Sequence, residues 1–236
     1  MSKYKKIFNY QVVILAGGYG KRLGNLTLLK PKPSISIFGK PFIYYLIKNI
    51  VAQGFKKIFF ITGYKGNMLK REILKLKISK KIKVDFHKEK YPQGTALALL
   101  RAKKKLEKNF ILMNGDTLNE IKIIKFLEKV NCSKIINICI TNKKNKDSGN
   151  FYFQNNKFRF TEKPKRSSGY INTGTYFCKK EILNYISKKN KSLELNIFSK
   201  LIRINEVFLI KIKTNIFDIG SKKKLSIFKK YIRKRL

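Results

Sequence analysis

Leu15-Ala16-Gly17-Gly18-Tyr19-Gly20-Lys21-Arg22-Leu23, continuing to Pro31-Lys32-Pro33, is the stretch on which the reading of this chain turns. It follows an apolar run, Gln11 to Ala16, that reads as a buried strand. A strand that empties into three closely spaced glycines offers backbone N–H groups to an anion, because glycine turns sharply and lets ligand oxygens approach the main chain. Arg22 and Lys32 add positive charge beside that loop. The spacing is neither G-x-x-x-x-G-K-[ST] nor G-x-G-x-x-G, so the two commonest phosphate loops are excluded. The plain alternative is a glycine-rich turn flanked by surface bases.

Working outward, strand-like and helix-like segments alternate. Val12–Leu15, Lys57–Thr62, Ile82–Phe86 and Phe110–Met113 read as strands. Phe42–Ala52, Asn67–Leu76, Thr95–Leu106 and Asn119–Val130 read as helices. Repeated units of this length imply an α/β fold, Rossmann-like, with a mostly parallel mixed sheet carrying helices on both faces. Ligands of such sheets gather at the carboxyl ends of the strands. Gly17 and Asp116 both lie just past strand ends and are expected on the same edge. The second half is richer in strands: Ile135–Thr141, a hairpin of Asn150–Gln154 and Phe158–Thr161 around Asn155-Asn156, Tyr170–Cys178, and Val207–Ile212. Short helices are expected at Glu181–Ser187 and Glu194–Ile202. With no linker-like break in composition, the expectation is a single domain over 1–236, with a basic arm at 1–10 and a terminal helix at 221–235.

Composition narrows the function. The chain has 236 residues and is 43% apolar, enough for one large core. No apolar stretch is long enough to cross a bilayer and no signal-like core follows the basic N-terminus, which points to a cytoplasmic protein. Three scattered cysteines and a single histidine, His87, argue against a disulfide framework or a zinc site, and buried or half-buried thiols are expected. The net charge of +42 invites a nucleic-acid reading. Lysine, however, supplies 47 of the 55 basic residues and is spread end to end, whereas base-edge recognition leans on arginine. No nucleic-acid partner is therefore expected. The basic surface leaves room for peripheral contact with a membrane or other anionic surface, and the oligomeric state is open.

Several further segments carry chemistry. Asn114-Gly115-Asp116 ends a strand with a carboxylate, which can hold Mg²⁺ against phosphate oxygens, although a strand-end Gly-Asp is often only a turn. Asp218, in Phe217-Asp218-Ile219-Gly220, reads equally as a cap for the terminal helix. Asn172 sits inside a strand, where its propensity is poor, and so needs a reason. Ser192, in Ser192-Leu193-Glu194, reads as a helix cap. In the terminal helix, Leu225, Phe228 and Ile232 share one face among lysines. That stripe serves either to dock the helix or to bind a surface.

The glycine loop, Pro31-Lys32-Pro33, and Gly39-Lys40-Pro41 together resemble the sugar-1-phosphate nucleotidyltransferases, with the L-A-G-G-x-G-x-R-L…P-K-P signature. The likeness extends from Val12 to about Leu225 through N-G-D, F-x-E-K-P, I-N-x-G-x-Y and F-x-D-I-G. Among them, the short D-glycero-D-manno-heptose 1-phosphate guanylyltransferases are the most similar. The resemblance implies the fold of the nucleotide-diphospho-sugar transferases and the joining of a nucleoside triphosphate, GTP favoured, to a heptose or hexose 1-phosphate. The products are a nucleotide-sugar for surface glycan synthesis and pyrophosphate. It implies catalytic roles for Arg22 and Lys32, and nucleotide contacts at Leu15, Ala16, Gly17, Gly18, Gly20, Gln93, Gly94 and Thr95. Sugar-phosphate contacts are implied at Gly115, Glu162, Lys163, Asn172 and Gly174, with Mg²⁺ on Asp116 and Asp218. Gln93 stands where the family usually has Leu, which leaves the base open.

An attacking phosphate oxygen is already anionic, so such a reaction needs alignment and charge neutralisation rather than a general base. Two alternatives remain: uridylyl or thymidylyl transfer to a hexose or amino-sugar phosphate, and a non-catalytic basic protein that binds membrane or nucleic acid.

Overall fold

In a computed structural model, residues 9–76, 82–142, 150–154, 157–161 and 169–236 are described. Most of the basic arm, the Asn155-Asn156 turn, and both Glu162 and Lys163 lie outside them. In chain order the strands are β1 (Gln11–Ala16), β2 (Ser36–Ile37), β3 (Lys40–Pro41), β4 (Lys57–Thr62), β5 (Lys83–Lys88), β6 (Asn109–Asn114), β7 (Thr117–Asn119), β8 (Ile136–Asn142), β9 (Asn150–Gln154), β10 (Lys157–Thr161), β11 (Tyr170–Lys179), β12 (Val207–Lys211) and β13 (Ile216–Asp218). The α-helices are α1 (Phe42–Ala52), α2 (Gly66–Lys75), α3 (Thr95–Arg101), α4 (Ile123–Leu127), α5 (Ser199–Arg203) and α6 (Lys222–Arg233). These form two compact units, one of residues 1–92, 113–120 and 215–236, the other of 93–112 and 121–214.

In the first unit, β1 pairs in parallel with β4, and β4 with β5. The run Ile58-Phe59-Phe60-Ile61 is buried throughout, as a strand covered on both faces requires. Helix α1 buries Phe42, Ile43, Leu46, Ile47 and Ile50, a helical spacing that gives one apolar face. Helix α6 buries Leu225, Phe228 and Ile232, and Phe228 meets Phe42 edge-on at 5.1 Å between ring centres. The apolar stripe of the terminal helix is thus spent on docking.

The second unit supplies mixed pairing. Strand β8 is antiparallel to β11 and parallel to β12, while β9 and β10 form the expected antiparallel hairpin. Its core contains Tyr176, Phe198, Phe110 and Leu201. The fold is α/β with a mixed sheet.

Two expectations are corrected, and a third is met in another helical form. The helix expected at Asn119–Val130 shrinks to Ile123–Leu127, because Thr117–Asn119 is taken up as a strand against Ile216–Asp218. That partner lies about a hundred residues away and leaves no local mark. The short helices expected at Glu181–Ser187 and Glu194–Ile202 are present, the first as a 3₁₀ helix at Lys180–Tyr185 and the second as a π-turn at Leu193–Phe198 leading into α5. Of the cysteines, Cys139 and Cys178 are buried, with burial pushing the Cys139 thiol up to about 12, but Cys132 is exposed.

Candidate active site

The centre of the first unit is a backbone junction. Gly115 N–H donates to the Leu15 carbonyl at 2.8 Å, and a Cβ on Gly115 would stand 2.7 Å from that same oxygen. Only glycine fits there. The contact brings the end of β6 against the end of β1, so Asp116 emerges beside the glycine loop, on the shared edge anticipated from the sequence. Gly17 is equally tight, since its carbonyl accepts from Tyr64 N–H at 3.0 Å and a Cβ would meet Gly63 N at 3.1 Å and Glu89 Oε2 at 3.0 Å. Gly18, by contrast, is exposed, and a Cβ on it would have nothing within 4 Å. Gly20 takes a left-handed φ of 71° and opens the 3₁₀ segment Lys21–Thr27 that carries Arg22. Thr27 Oγ1 donates to the Gly20 carbonyl at 3.2 Å and pins this turn from inside.

Lys32 starts the short 3₁₀ turn Lys32–Ser34 behind Pro31. Its Nζ donates to Asp116 Oδ2 at 2.7 Å, and its side chain is only 12% exposed. Burial alone would raise the Asp116 pKa. The charge and hydrogen bond of Lys32, joined by Thr117 Oγ1, outweigh that and hold it below the ordinary carboxylate value.

Asp218 reaches the same place along β13. It pairs with Thr117 in the β13–β7 ladder, and Ile219 N–H donates to the Asp116 carbonyl at 3.0 Å. The two acids are therefore anchored side by side on adjacent backbone. Asp218 Oδ1 accepts Gly220 N–H at 2.9 Å, and Oδ2 accepts Lys224 Nζ at 2.7 Å. Asp218 does not cap α6, because Ser221 does, its hydroxyl accepting Lys224 N–H. Arg22 closes the group: a Cβ on Gly220 would lie 3.1 Å from Arg22 Nη2 and 3.0 Å from Asp218 Oδ1.

In the second unit, Asn172 has its reason. Its Oδ1 accepts Gly174 N–H at 3.0 Å across a break in the β11–β8 register, where Gly174 adopts φ 72°. Its Nδ2 donates to the Tyr176 hydroxyl at 2.8 Å. Tyr176, fully buried, donates in turn to Glu194 Oε1 at 3.4 Å, and Glu194 Oε2 accepts from Thr95 Oγ1 at 3.5 Å. Burial, together with the Glu194 charge, raises the Tyr176 pKa. Gly94, at φ 104°, packs against the backbone of Lys191, where a Cβ would sit 2.1 Å from the carbonyl oxygen. Gln93 is exposed and pairs with Arg101. Ser192 caps the π-turn, accepting Leu195 N–H at 3.1 Å.

The structure thus brings together Leu15, Ala16, Gly17, Gly18, Gly20, Arg22, Lys32, Gly115, Asp116 and Asp218 in the first unit. Gln93, Gly94, Thr95, Asn172 and Gly174 belong to the second. Lys224, Tyr176 and Glu194 were missed. Tyr176 and Glu194 stand inside the I-N-x-G-x-Y and Ser192-Leu193-Glu194 segments but are given no role there, and the signal for Lys224 is that Lys222-Lys223-Lys224 fills the first turn of a helix, where the dipole disfavours cations.

The nucleotidyl transferase family matches residues 11–233 of this chain. The chain belongs to the nucleotidyl transferase family. It is 32% identical over 186 residues to a D-glycero-alpha-D-manno-heptose 1-phosphate guanylyltransferase of Campylobacter jejuni, covering 77% of this chain and 81% of that one. It is 28% identical over 228 residues to the mannose-1-phosphate guanylyltransferase catalytic subunit beta of Danio rerio, covering 90% of this chain but only 62% of the relative's length. Among solved structures, HddC from Yersinia pseudotuberculosis, complexed with GMP-PN, superimposes with a TM-score of 0.79 at 29% identity, covering 94% of this chain and 99% of that one. The fold is also that of a glucose-1-phosphate thymidylyltransferase-like protein from Bacillus anthracis, with a TM-score of 0.82 at 21% identity.

Proposed function

We propose that this nucleotidyl transferase joins GTP to a sugar 1-phosphate, a heptose or hexose, giving a GDP-sugar and pyrophosphate for surface glycan synthesis. The observation that carries the reading is the junction of Lys32, Asp116, Asp218 and Arg22 at the end of the glycine loop. This is a site with cations for a polyanion and paired hard oxygens for a divalent ion. Guanosine is favoured because the Campylobacter jejuni and Danio rerio relatives are both named as guanylyltransferases.

The donor set fits Mg²⁺. Among the described residues no cluster of three or more His, Cys, Asp or Glu could hold a metal. Mg²⁺ asks for less, taking one or two carboxylates and completing its shell with water and phosphate oxygens. Asp116 and Asp218 would hold it, and when bound it supplies charge neutralisation on the phosphates. The chain's own cations do the rest. Lys32 meets the α-phosphate, where negative charge accumulates during in-line attack, and Arg22 meets the β- and γ-phosphates that leave. Gly18, open to solvent and without a side chain, lets phosphate oxygens reach the backbone. Lys163, Glu162, Asn172 and Gly115 serve the sugar phosphate, with Gly174 shaping the bulge that presents Asn172. Gln93, Gly94 and Thr95 serve the base.

No helix among the described residues is long and apolar enough to cross a membrane. We place the reaction in the cytoplasm, where nucleoside triphosphates are available.

Pyrophosphate release across four nucleoside triphosphates and a panel of sugar 1-phosphates tests the reading. Turnover is expected with GTP and a heptose or mannose-type 1-phosphate. Turnover only with UTP or dTTP would move the activity to uridylyl or thymidylyl transfer. No turnover on any pair would refute it.

A further inference from the structure

Asp218 holds a cation already. Lys224 Nζ sits 2.7 Å from its Oδ2, and both side chains are partly shielded, at 16% and 26% exposure. The neighbouring carboxylate, Asp116, is held in the same way by Lys32. Two acids face two lysines before Arg22 is counted, so the pair presents no net negative charge to an incoming cation. The two lysines differ in what they cost. Lys32 opens a three-residue 3₁₀ turn, too short to build up a sizeable dipole. Lys224 is the third residue of α6, in a first turn made of Lys222, Lys223 and Lys224 with no acid among them. Cations there oppose the helix dipole, and nothing in the packing of α6 requires one, since its buried face is Leu225, Phe228 and Ile232. Lys222 and Lys223 are exposed, and Lys224 alone of the three turns inward.

We propose that Lys224 is a positioning residue that occupies Asp218 as a resident counter-ion and competes with the divalent cation for it. This rests on the reading of Asp116 and Asp218 as metal carboxylates. While Lys224 and Lys32 hold both acids, a bare divalent cation binds weakly. An arriving triphosphate offers Lys32 and Arg22 other oxygens, so metal and nucleotide load together rather than metal first. Lys224 also fixes the Asp218 rotamer, with Gly220 N–H on the other oxygen.

The test is Mn²⁺ binding to the nucleotide-free protein, read by the loss of the free-Mn²⁺ electron paramagnetic resonance signal. The wild type is compared with Lys224→Gln, Lys224→Met, Lys224→Arg, Lys223→Met and Asp218→Asn. Removing a unit charge next to a divalent ion is expected to tighten Mn²⁺ binding about tenfold in both Lys224→Gln and Lys224→Met. Lys224→Arg should keep the wild-type affinity. Lys223→Met, which removes the same charge from an exposed neighbour, should change it less than about twofold. Binding that is lost in Asp218→Asn but equal in wild type, Lys224→Gln and Lys224→Met overturns the proposal alone. A tightening just as large in Lys223→Met also overturns it, because the effect is then only the general field. Mn²⁺ binding indifferent to Asp218→Asn overturns both the proposal and the metal reading beneath it.

Discussion

Lys32 and Asp116, 84 residues apart in sequence, are joined by a 2.7 Å charge-assisted hydrogen bond at the mouth of the glycine loop. Two backbone features bring the pair together: Gly115 N–H on the Leu15 carbonyl, and the 3₁₀ turn behind Pro31 from which Lys32 reaches the end of the strand.

Replacing Lys32 with Met removes the cation assigned to the α-phosphate and leaves Asp116 without its partner. Turnover is expected to fall by about 10²–10³-fold, the range seen when one preorganised charge-stabilising donor is lost. The circular dichroism spectrum should be unchanged. Steady-state pyrophosphate release checks this, and a rate within a few-fold of wild type would contradict the role given to Lys32.

Acid should weaken the fold through Asp116. Its folded pKa is held below the ordinary carboxylate value by Lys32, so the folded state binds this proton less readily than the unfolded chain. The stabilisation is full above ~pH 5 and is lost as pH falls through the folded value. Urea melts from pH 6 down to pH 3 should therefore show a steeper loss in wild type than in Asp116→Asn.

Two glycines should respond in opposite ways to alanine. Gly94 has φ 104° and no room for a Cβ beside Lys191, so Gly94→Ala is expected to destabilise by at least ~1–3 kcal/mol. Gly18 has open space around it, so Gly18→Ala should melt like the wild type while raising the KM for the nucleoside triphosphate. Thermal melts set beside nucleotide titrations separate the two.

Phe228 packs fully buried against Phe42, Tyr45 and Phe217, all aromatic. Phe228→Ala should cost ~3–5 kcal/mol in urea unfolding. A loss under 1 kcal/mol would mean that α6 is not docked as described.

What the sequence made legible was local. Phe42–Ala52 and Lys57–Thr62 announce themselves by a helical apolar face and an unbroken β-branched and aromatic run, and both stand where expected. The glycine loop, Lys32, Asp116 and Asp218 were legible as motifs. The strand ends put Gly17 and Asp116 on one edge; the arrival of Asp218 beside them was implied only by the resemblance, because it depends on three-residue strands, Thr117–Asn119 and Ile216–Asp218, too short to carry a periodicity. Asn172 was visible as an oddity, but its structural cause, a bulge at Gly174 clamped by its own side chain, needs the β8 register to be seen. Lys224 was hidden in plain view, since in a chain with 55 basic residues three more lysines read as solvated surface.

The most direct test is an anomalous diffraction map from crystals grown with Mn²⁺ and a non-hydrolysable GTP analogue. The account predicts one strong peak ~2.1 Å from a carboxylate oxygen of both Asp116 and Asp218 and in contact with the nucleotide phosphates, with Lys224 withdrawn from Asp218. A peak elsewhere, with Lys32 and Lys224 still seated on their carboxylates, would contradict it.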